Sequence, residues 1–197
     1  MTLHQFITKY DQKGAVVLLE GKRKVAENDQ PKLIELGNLL ASKTRHLIFR
    51  SGNAAGADEY FSMGVNQVAP ERMQVIVPYT GHRKKENKAY KTHSLEEINL
   101  AEEPDIVYQS KMNRNTKNLV DKYVDGQKNR YTIKAAYIIR DTVKVIGTTE
   151  IPPASFAIFY DDLTNPGTGG TGHTMNVCEH NDVDYITQET WFGWLNK

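Results

Sequence analysis

The sequence predicts an α/β protein with a doubly wound, mainly parallel sheet flanked by helices and an inserted, largely helical segment. Three observations lead to this fold class. Short apolar runs alternate with helical patterns up to residue 79, and they do so again from residue 133 onward. Two of these runs are each followed by a glycine-rich turn that opens a helix. Alternation of strand and helix is typical of right-handed βαβ units, whose strands are parallel.

Length and composition limit the possibilities further. The 197 residues fit a single domain over 1–197, with an insertion at about 80–134. The 25 Lys and Arg nearly balance the 24 Asp and Glu, so no global charge favours duplex DNA or a membrane as partner. The single Cys178 excludes an intramolecular disulfide and a multi-cysteine zinc site. Since no run of about 18 apolar residues and no signal-peptide pattern is present, we expect a cytoplasmic protein.

The first βαβ unit is expected over residues 14–49. Residues 14–20 form a continuous apolar run, typical of a strand that is buried on both faces. A helix follows, for which Asp29 is the expected N-cap, and Pro31 fits its first turn. We expect this helix to end near Thr44, with a second strand at 46–49. Its inner face repeats at helical spacing through Leu33, Leu36, Gly37 and Leu40.

The second unit and the insertion follow. Residues 50–58 are a turn leading into a helix, whose inner face we assign to Phe61, Val65 and Val68, and 73–79 form the third strand. Residues 80–134 are rich in charges and tyrosines, and this pattern predicts helices over 83–103 and 115–124 with a turn at 125–126. The remaining expected elements are a helix over 133–146, a fourth strand at 155–160, a helix through Cys178, a strand at 183–187, and a closing helix with Trp191 and Trp194.

The two glycine-rich turns, at 51–58 and 167–174, are the chemically informative feature. Glycine lets backbone N–H groups approach an anion closely, and a helix N-terminus adds unpaired donors and about half a positive charge. Neither turn is a Walker loop or a GxGxxG fingerprint. Because ligands in open α/β sheets bind beyond the carboxyl ends of the strands, both turns can face one crevice.

Several polar residues beside these turns have both a functional and a structural interpretation. Arg23 and Arg50 can pair with phosphate or form ion pairs within the protein. Asp58 can cap its turn or accept a hydrogen bond from a ribose hydroxyl. His173 can donate to a phosphate, act as an acid or base, or be an ordinary loop histidine. The histidine pairs lack the spacing of a zinc site, and we expect neither a metal nor a cofactor.

The turn Ser51-Gly52-Asn53-Ala54-Ala55-Gly56-Ala57-Asp58 and the later Thr168-Gly169-Gly170-Thr171-Gly172-His173-Thr174 together resemble the two motifs of the SLOG superfamily. This group includes the LOG phosphoribohydrolases, DprA-like proteins and nucleotide-sensing domains. The resemblance implies a Rossmann-like fold and a nucleotide or nucleotide-derived ligand, such as an ADP-ribose derivative or nucleotide sugar, held by both loops. Arg140-Asp141 falls where an uncharacterised branch of the group has Arg-Asn. The implied ligand-binding residues are Arg23, Arg50, Ser51, Gly52, Asn53, Gly56, Asp58, Arg140, Gly169, Gly170, Thr171, Gly172, His173 and Thr174.

The resemblance leaves three functions open. The enzymatic branch carries PGGxGTxxE, but Thr174 or Asn176 stands at the glutamate position, so we favour binding over catalysis. The alternative is a LOG-like phosphoribohydrolase that cleaves the N-glycosidic bond of nucleoside 5′-monophosphates. The second alternative is DprA-like binding of single-stranded nucleic acid by the basic run at 83–91, with Tyr90 as a stacking face. That run also fits a solvated surface. We expect a homodimer from the resemblance and the two closing tryptophans.

Overall fold

A computed structural model describes residues 1–195 of the chain. It contains a six-stranded sheet in which every pairing of neighbouring strands is parallel. In chain order the strands are β1 (Val16–Gly21), β2 (Ile48–Ser51), β3 (Met73–Val77), β4 (Lys91–Ser94), β5 (Phe156–Tyr160) and β6 (Tyr185–Ile186). Their order across the sheet is β4-β3-β2-β1-β5-β6. The expected α/β fold with a parallel sheet is therefore confirmed.

Helices cover both faces of the sheet, as in a doubly wound fold. They are α1 (Leu3–Tyr10), α2 (Gln30–Lys43), α3 (Ala57–Asn66), α4 (Pro104–Ser110), α5 (Lys117–Val124), α6 (Ile133–Ile146), α7 (Gly169–His180) and α8 (Gln188–Leu195). Helices α1, α2, α3 and α8 share one core cluster with the sheet, and α4 to α7 pack on the other side. Neighbouring residues of β1 point to opposite sides, since Val17 belongs to the first cluster and Leu18 to another. None of the helices within 1–195 has the length and apolar character needed to cross a bilayer.

Most of the expected elements are present. Helix α2 follows Asp29 and ends before Thr44, although the Asp29 carboxylate accepts hydrogen bonds from Lys32 and Tyr160 instead of capping the helix through its side chain. Helix α6 has the expected bounds. Val68 was assigned wrongly to the inner face of α3, because that helix ends at Asn66 and the Val68 side chain is exposed.

The expectation of a helix over 83–103 is wrong. This stretch instead contains a turn, the edge strand β4 and two short 3-10 turns at 95–97 and 100–102. Parallel pairing of β4 with β3 supplies backbone hydrogen bonds that outweigh the helical charge pattern. The strand expected as the fourth is therefore β5, while the helix over 115–124 is present as α5. The assignment of residues 80–134 as an insertion into a single domain stays a prediction.

Both closing tryptophans have partners within the chain. The Trp191 side chain is fully buried and its indole N–H donates to the Phe159 carbonyl. The Trp194 indole N–H donates to the Met1 carbonyl, and its ring packs on Phe6. The homodimer expected from these residues stays a prediction.

Strand β1 marks the point where the order of the strands reverses. From β1 the chain moves outward through β2, β3 and β4, and later returns to the other side of β1 as β5. The loops after β1 and β5 therefore diverge to opposite faces and leave a crevice at the carboxyl edge of the sheet. This is the place where a ligand site is expected in such a fold.

Helices α2 and α3 contact each other backbone to backbone through two glycines. A Cβ atom on Gly37 would lie well inside contact distance of the Phe61 carbonyl oxygen and 3.0 Å from the Val65 nitrogen. A Cβ on Gly64 would collide with the Ile34 carbonyl in the same way. The obstructing atoms belong to the backbone, so rotation of a side chain cannot relieve either collision.

We therefore expect Gly37→Ala to destabilise the protein by about 1 to 3 kcal/mol through overpacking. The free energy of unfolding is measured by denaturant titration. The matched control is Gly193→Ala, since Gly193 is exposed on α8 and a Cβ there meets no atom within 4 Å. The control should be neutral or stabilising by up to about 1 kcal/mol, owing to helix propensity. Equal unfolding midpoints for Gly37→Ala and the wild type would contradict this account of the helix contact.

Candidate functional site

A cavity of about 470 Å³ lies at the carboxyl edge of the sheet, in the crevice beside β1. Its walls come from the end of β1, the first glycine-rich turn, the start of α7, one side of α6, and residues 113–116. This volume is in the range of small-molecule sites. The residues that line it are Glu20, Gly21, Lys22, Arg23, Ala54, Asp58, Asn113, Asn115, Thr116, Lys134, Tyr137, Ile138, Arg140, Asp141, Thr168, Gly169, Gly170 and Thr171.

The second glycine-rich turn presents free backbone donors to this cavity. Helix α7 has Thr168 as its N-cap, whose side chain makes no capping hydrogen bond. The first amide bonded back into the helix is that of Gly172, which donates to the Thr168 carbonyl. The N–H groups of Gly169, Gly170 and Thr171 have no acceptor within the described part of the chain. Together with the helix dipole, they form an arrangement suited to an anion.

The first glycine-rich turn is arranged differently, because its donors bind the chain's own carboxylate. The Asp58 side chain accepts from the N–H groups of Gly52 at 2.9 Å, Gly21 at 3.3 Å and Ala54 at 3.4 Å. Gly56 adopts a φ of 87°, and a side chain there would collide with the Arg23 backbone. The turn therefore holds the loop after β1 in place, with the N–H groups of Gly52 and Ala54 bound to a carboxylate that lies in the cavity wall.

Eight of the fourteen expected binding residues lie outside the cavity lining: Arg50, Ser51, Gly52, Asn53, Gly56, Gly172, His173 and Thr174. The guanidinium of Arg50 is fully buried and donates to the carbonyls of Lys144 at 2.9 Å and Pro152 at 2.8 Å. Burial lowers its pKa to about 10. Ser51 is buried, and the Asn53 amide donates to the His82 carbonyl at 3.1 Å. The Arg50 and Asn53 side chains connect structural elements, and the position of Arg50 gives no support to its expected contact with a phosphate.

A network of buried charges forms the floor of the cavity. The Lys144 ammonium lies 2.5 Å from a Glu20 oxygen and 2.8 Å from an Asp141 oxygen. The Arg140 guanidinium pairs with Asp141 at 2.9 Å and donates to the Gly52 carbonyl at 2.5 Å. All four side chains are at most 5% exposed. The network joins β1, the first glycine-rich turn and α6.

The pKa values in this network differ between its two carboxylates. Burial raises the pKa of Glu20 to about 7, and Asp141 and Asp58 add to that effect. Burial also opposes ionisation of Asp141, but Arg140 and Lys144 outweigh it and hold the pKa of Asp141 below its usual range. Glu20 therefore keeps its proton to a higher pH than Asp141 does.

The last two expected residues lie along α7. The Thr174 hydroxyl donates to Glu20 at 3.0 Å and to the Gly170 carbonyl at 3.1 Å. Glu20 from β1 thus contacts Thr174, one of the two residues that the resemblance aligns with the glutamate of the enzymatic branch. The His173 Nε2 lies 2.9 Å from the Thr142 hydroxyl, and burial lowers the pKa of His173. His173 is therefore neutral and held beneath the helix, outside the cavity lining.

The cavity mouth carries two cations and an aromatic ring. Arg23 lies 5.8 Å from the centre of the Tyr137 ring, and Arg140 lies 5.5 Å from the same ring. Within residues 1–195, neither Arg23 nor Lys134 forms an ion pair. Both cations are thus available to a ligand, whereas Arg140 and Lys144 are already paired.

Sequence reasoning placed Arg23, Asp58, Arg140 and the start of α7 at one site, and the structure brings these residues together. It missed Glu20, Lys134, Tyr137 and residues 113–116. For Glu20 a signal existed, since a carboxylate at the end of an otherwise apolar buried strand needs a partner. Residues 113–116 carry no comparable signal in the sequence.

Comparison with known proteins gives one structural match. No family model and no curated protein matches the chain. The structure is similar to that of DNA processing protein A (DprA) from Helicobacter pylori, solved for its single-stranded DNA binding mode, with a TM-score of 0.51 and 12% sequence identity. The match covers 91% of this chain and 67% of that one. The chain shares the Rossmann-like fold of DprA. At this identity the likeness to DprA concerns the fold alone.

The raised pKa of Glu20 predicts a distinct pH dependence for Glu20→Gln. Below about pH 4.5 Glu20 is protonated in both the folded and the unfolded state. The difference in free energy of unfolding between Glu20→Gln and the wild type is therefore constant in that range. Between about pH 4.5 and 7 the unfolded chain releases this proton while the folded protein retains it. The wild type therefore loses stability relative to Glu20→Gln as the pH rises through this window.

Denaturant titrations of both proteins from pH 4 to 8 measure this difference. Burial lowers the pKa of His82 to about 4, which makes stability rise with pH over part of the same range. That contribution is present in the wild type and in Glu20→Gln, so it cancels in the comparison. A constant difference, or one that moves in the opposite direction, would show that Glu20 is ionised throughout and that Lys144 dominates its pKa.

Proposed function

We propose that the cavity binds a nucleotide-type ligand through a phosphate group held at the start of α7. The observation that carries this proposal is the set of three free N–H groups on Gly169, Gly170 and Thr171, facing a cavity at the strand-order reversal. Backbone donors at a helix N-terminus are a recurrent phosphate site. The glycines at 169 and 170 leave room for a close approach of the anion.

The other groups at the cavity support a nucleotide over inorganic phosphate. Arg23 and Lys134 can form charge-assisted hydrogen bonds to phosphate oxygens. Tyr137 offers an aromatic face to a base, and Asp141 is an acceptor for a ribose hydroxyl. Since Arg140 and Lys144 neutralise most of the buried carboxylate charge, the floor does not repel an anion held at α7.

Thr168→Asp tests the phosphate position. An aspartate N-cap accepts hydrogen bonds from the second or third amide of a helix, so it occupies the free donors and adds a negative charge beside them. We expect the affinity for a nucleotide from a panel of AMP, ADP-ribose, NAD and UDP-sugars to fall at least about tenfold, since one lost charge-assisted bond corresponds to about 1.5 to 3 kcal/mol. Calorimetric titration measures this affinity.

Thr168→Asn is the matched control, because asparagine caps a helix comparably without the charge. Thermal stability should be unchanged or raised in both variants, so a loss of binding cannot be attributed to unfolding. If Thr168→Asp binds the nucleotide as tightly as the wild type does, the phosphate does not lie at α7 and the proposal is wrong.

The same nucleotide panel separates binding from N-glycosidic cleavage. Proton NMR followed over hours reports line broadening on binding and new base and ribose resonances on turnover. Release of a free base would favour the phosphoribohydrolase alternative. Glu20 would then be the first carboxyl group to replace, because its side chain contacts Thr174 at the position of the absent glutamate.

Binding of single-stranded DNA is a second candidate function, favoured by the structural similarity to DprA. The basic run at 83–91 offers exposed lysines and the exposed Tyr90, although Arg83 already pairs with Glu59 at 2.7 Å. Such a surface attracts a phosphate backbone and stacks a base. Here the nucleic acid would contact the outer edge of the sheet near β4.

The variant Lys84→Ala/Lys85→Ala tests this candidate. If both lysines contact phosphates, the slope of log affinity for oligo(dT) against log salt should fall in magnitude by about 1.4, or about 0.7 for each phosphate contact. Lys13→Ala/Lys43→Ala removes the same charge from exposed positions at the amino ends of the strands and should leave the slope unchanged. Absent or salt-independent retention of oligo(dT) by the wild type would exclude this function.

A further inference from the structure

A second groove of about 420 Å³ lies beside the cavity, at the start of α6. It belongs to the segment for which the family resemblance offers no counterpart. Aromatic rings and cations form most of its surface. The residues that line it include Tyr79, Glu96, Tyr123, Lys128, Arg130 and Ile133.

The groove and the cavity share a wall. Tyr79 lines the groove, Tyr137 lines the cavity, and the His82 ring lies between them, with its centre 5.1 Å from that of Tyr79 and 5.6 Å from that of Tyr137. Ile133 and Lys134, which are neighbours in the first turn of α6, face the groove and the cavity respectively. A ligand that leaves the cavity past Tyr137 therefore enters the groove next.

The His82 ring lies in this wall without lining the cavity or the groove. Its side chain is only 8% exposed, and neither ring nitrogen has a hydrogen-bond partner within residues 1–195. A buried polar group without a partner carries a free-energy cost, so His82 is an unsatisfied polar group between the two spaces. The ring is neutral, since burial lowers its pKa, and it can therefore both donate and accept.

The charges of the groove are complementary to a phosphodiester. Lys128 and Arg130 are exposed and have no carboxylate partner in the described residues. Lys128 lies 5.3 Å from the centre of the Tyr123 ring, which orients its ammonium group. Glu96 is the one acidic residue in the lining and accepts from the Thr80 N–H at 2.9 Å. The lining thus carries a net charge of +1, with two cations and one carboxylate.

We propose that this groove binds the second nucleotide unit of a ligand whose first phosphate lies at the start of α7. The second base lies against Tyr79, and the linking phosphate is bound by Lys128 and Arg130. The inference rests on the proposed function and narrows its ligand to two phosphate-linked nucleotides, present either as a free dinucleotide or as part of a single strand.

The experiment compares the affinities of AMP, the 5′-phosphorylated dinucleotide pApA and a longer oligoadenylate by calorimetry. For the wild type, pApA should bind at least about tenfold more tightly than AMP, because the linking phosphate gains charge-assisted hydrogen bonds to Lys128 and Arg130, worth about 1.5 to 3 kcal/mol each. In Lys128→Ala/Arg130→Ala this gain should fall below about threefold, whereas the affinity for AMP is unchanged. The control Lys13→Ala/Lys43→Ala should retain the full gain.

Amide NMR shifts provide a second measurement. Residues 128–130 should shift with pApA and not with AMP. If AMP binds and pApA binds no more tightly, or if the double variant keeps the gain, the second subsite is wrong and the proposed function stands. If neither ligand binds, the second subsite is wrong, and the proposed function is overturned as well when ADP-ribose, NAD and UDP-sugars also fail to bind. If the longer oligoadenylate binds more tightly than pApA, the ligand is a single strand. If it binds no more tightly than pApA, the ligand is a free dinucleotide.

Discussion

The contact between Lys144 and the carboxylates of Glu20 and Asp141 is the interaction on which the site depends. It connects the end of β1 to the last turn of α6, two positions 124 residues apart. Taking these charges out of water is costly, and their mutual attraction offsets the cost only while every member keeps its partner. Removing Lys144 would leave the buried Glu20 and Asp141 side chains without this cation. The crevice beside β1 therefore has a floor of paired charges, while the leading N–H groups of α7 have no partner within residues 1–195.

This network also explains why two similar glycine-rich turns have different properties. Arg140 donates to the Gly52 carbonyl, and Asp58 accepts from the N–H of the same residue, so both polar groups of Gly52 have partners. The turn at α7 contacts the network only through Thr174, one helical turn beyond its first residues. Its leading N–H groups consequently have no partner in the described chain. The first turn supports the fold, and the second is available to a ligand.

The sequence predicts the fold well where hydrophobic periodicity decides the structure. Strands β1 and β3 and helices α2 and α6 follow directly from apolar runs and helical spacing. Strand β4 does not, because Lys-Thr-His-Ser has no apolar alternation and its conformation depends on the exposed edge of β3. At the site, local motifs identify the start of α7. The pairing of Glu20 with Lys144 depends on tertiary contact, which a single sequence does not reveal.

The likeness to DprA concerns the part of the molecule that carries the least information about ligand choice. A Rossmann-like sheet provides a crevice at the carboxyl ends of its strands whatever the ligand is, and specificity comes from the segments around it. In this chain residues 113–116 form part of the cavity wall, and residues 128–133 form the adjoining groove. Both lie in the stretch between β4 and α6, which packs on α6 through α4 and α5. Under the proposed function, the choice of ligand depends chiefly on this stretch, which is also the part that the family motifs do not describe.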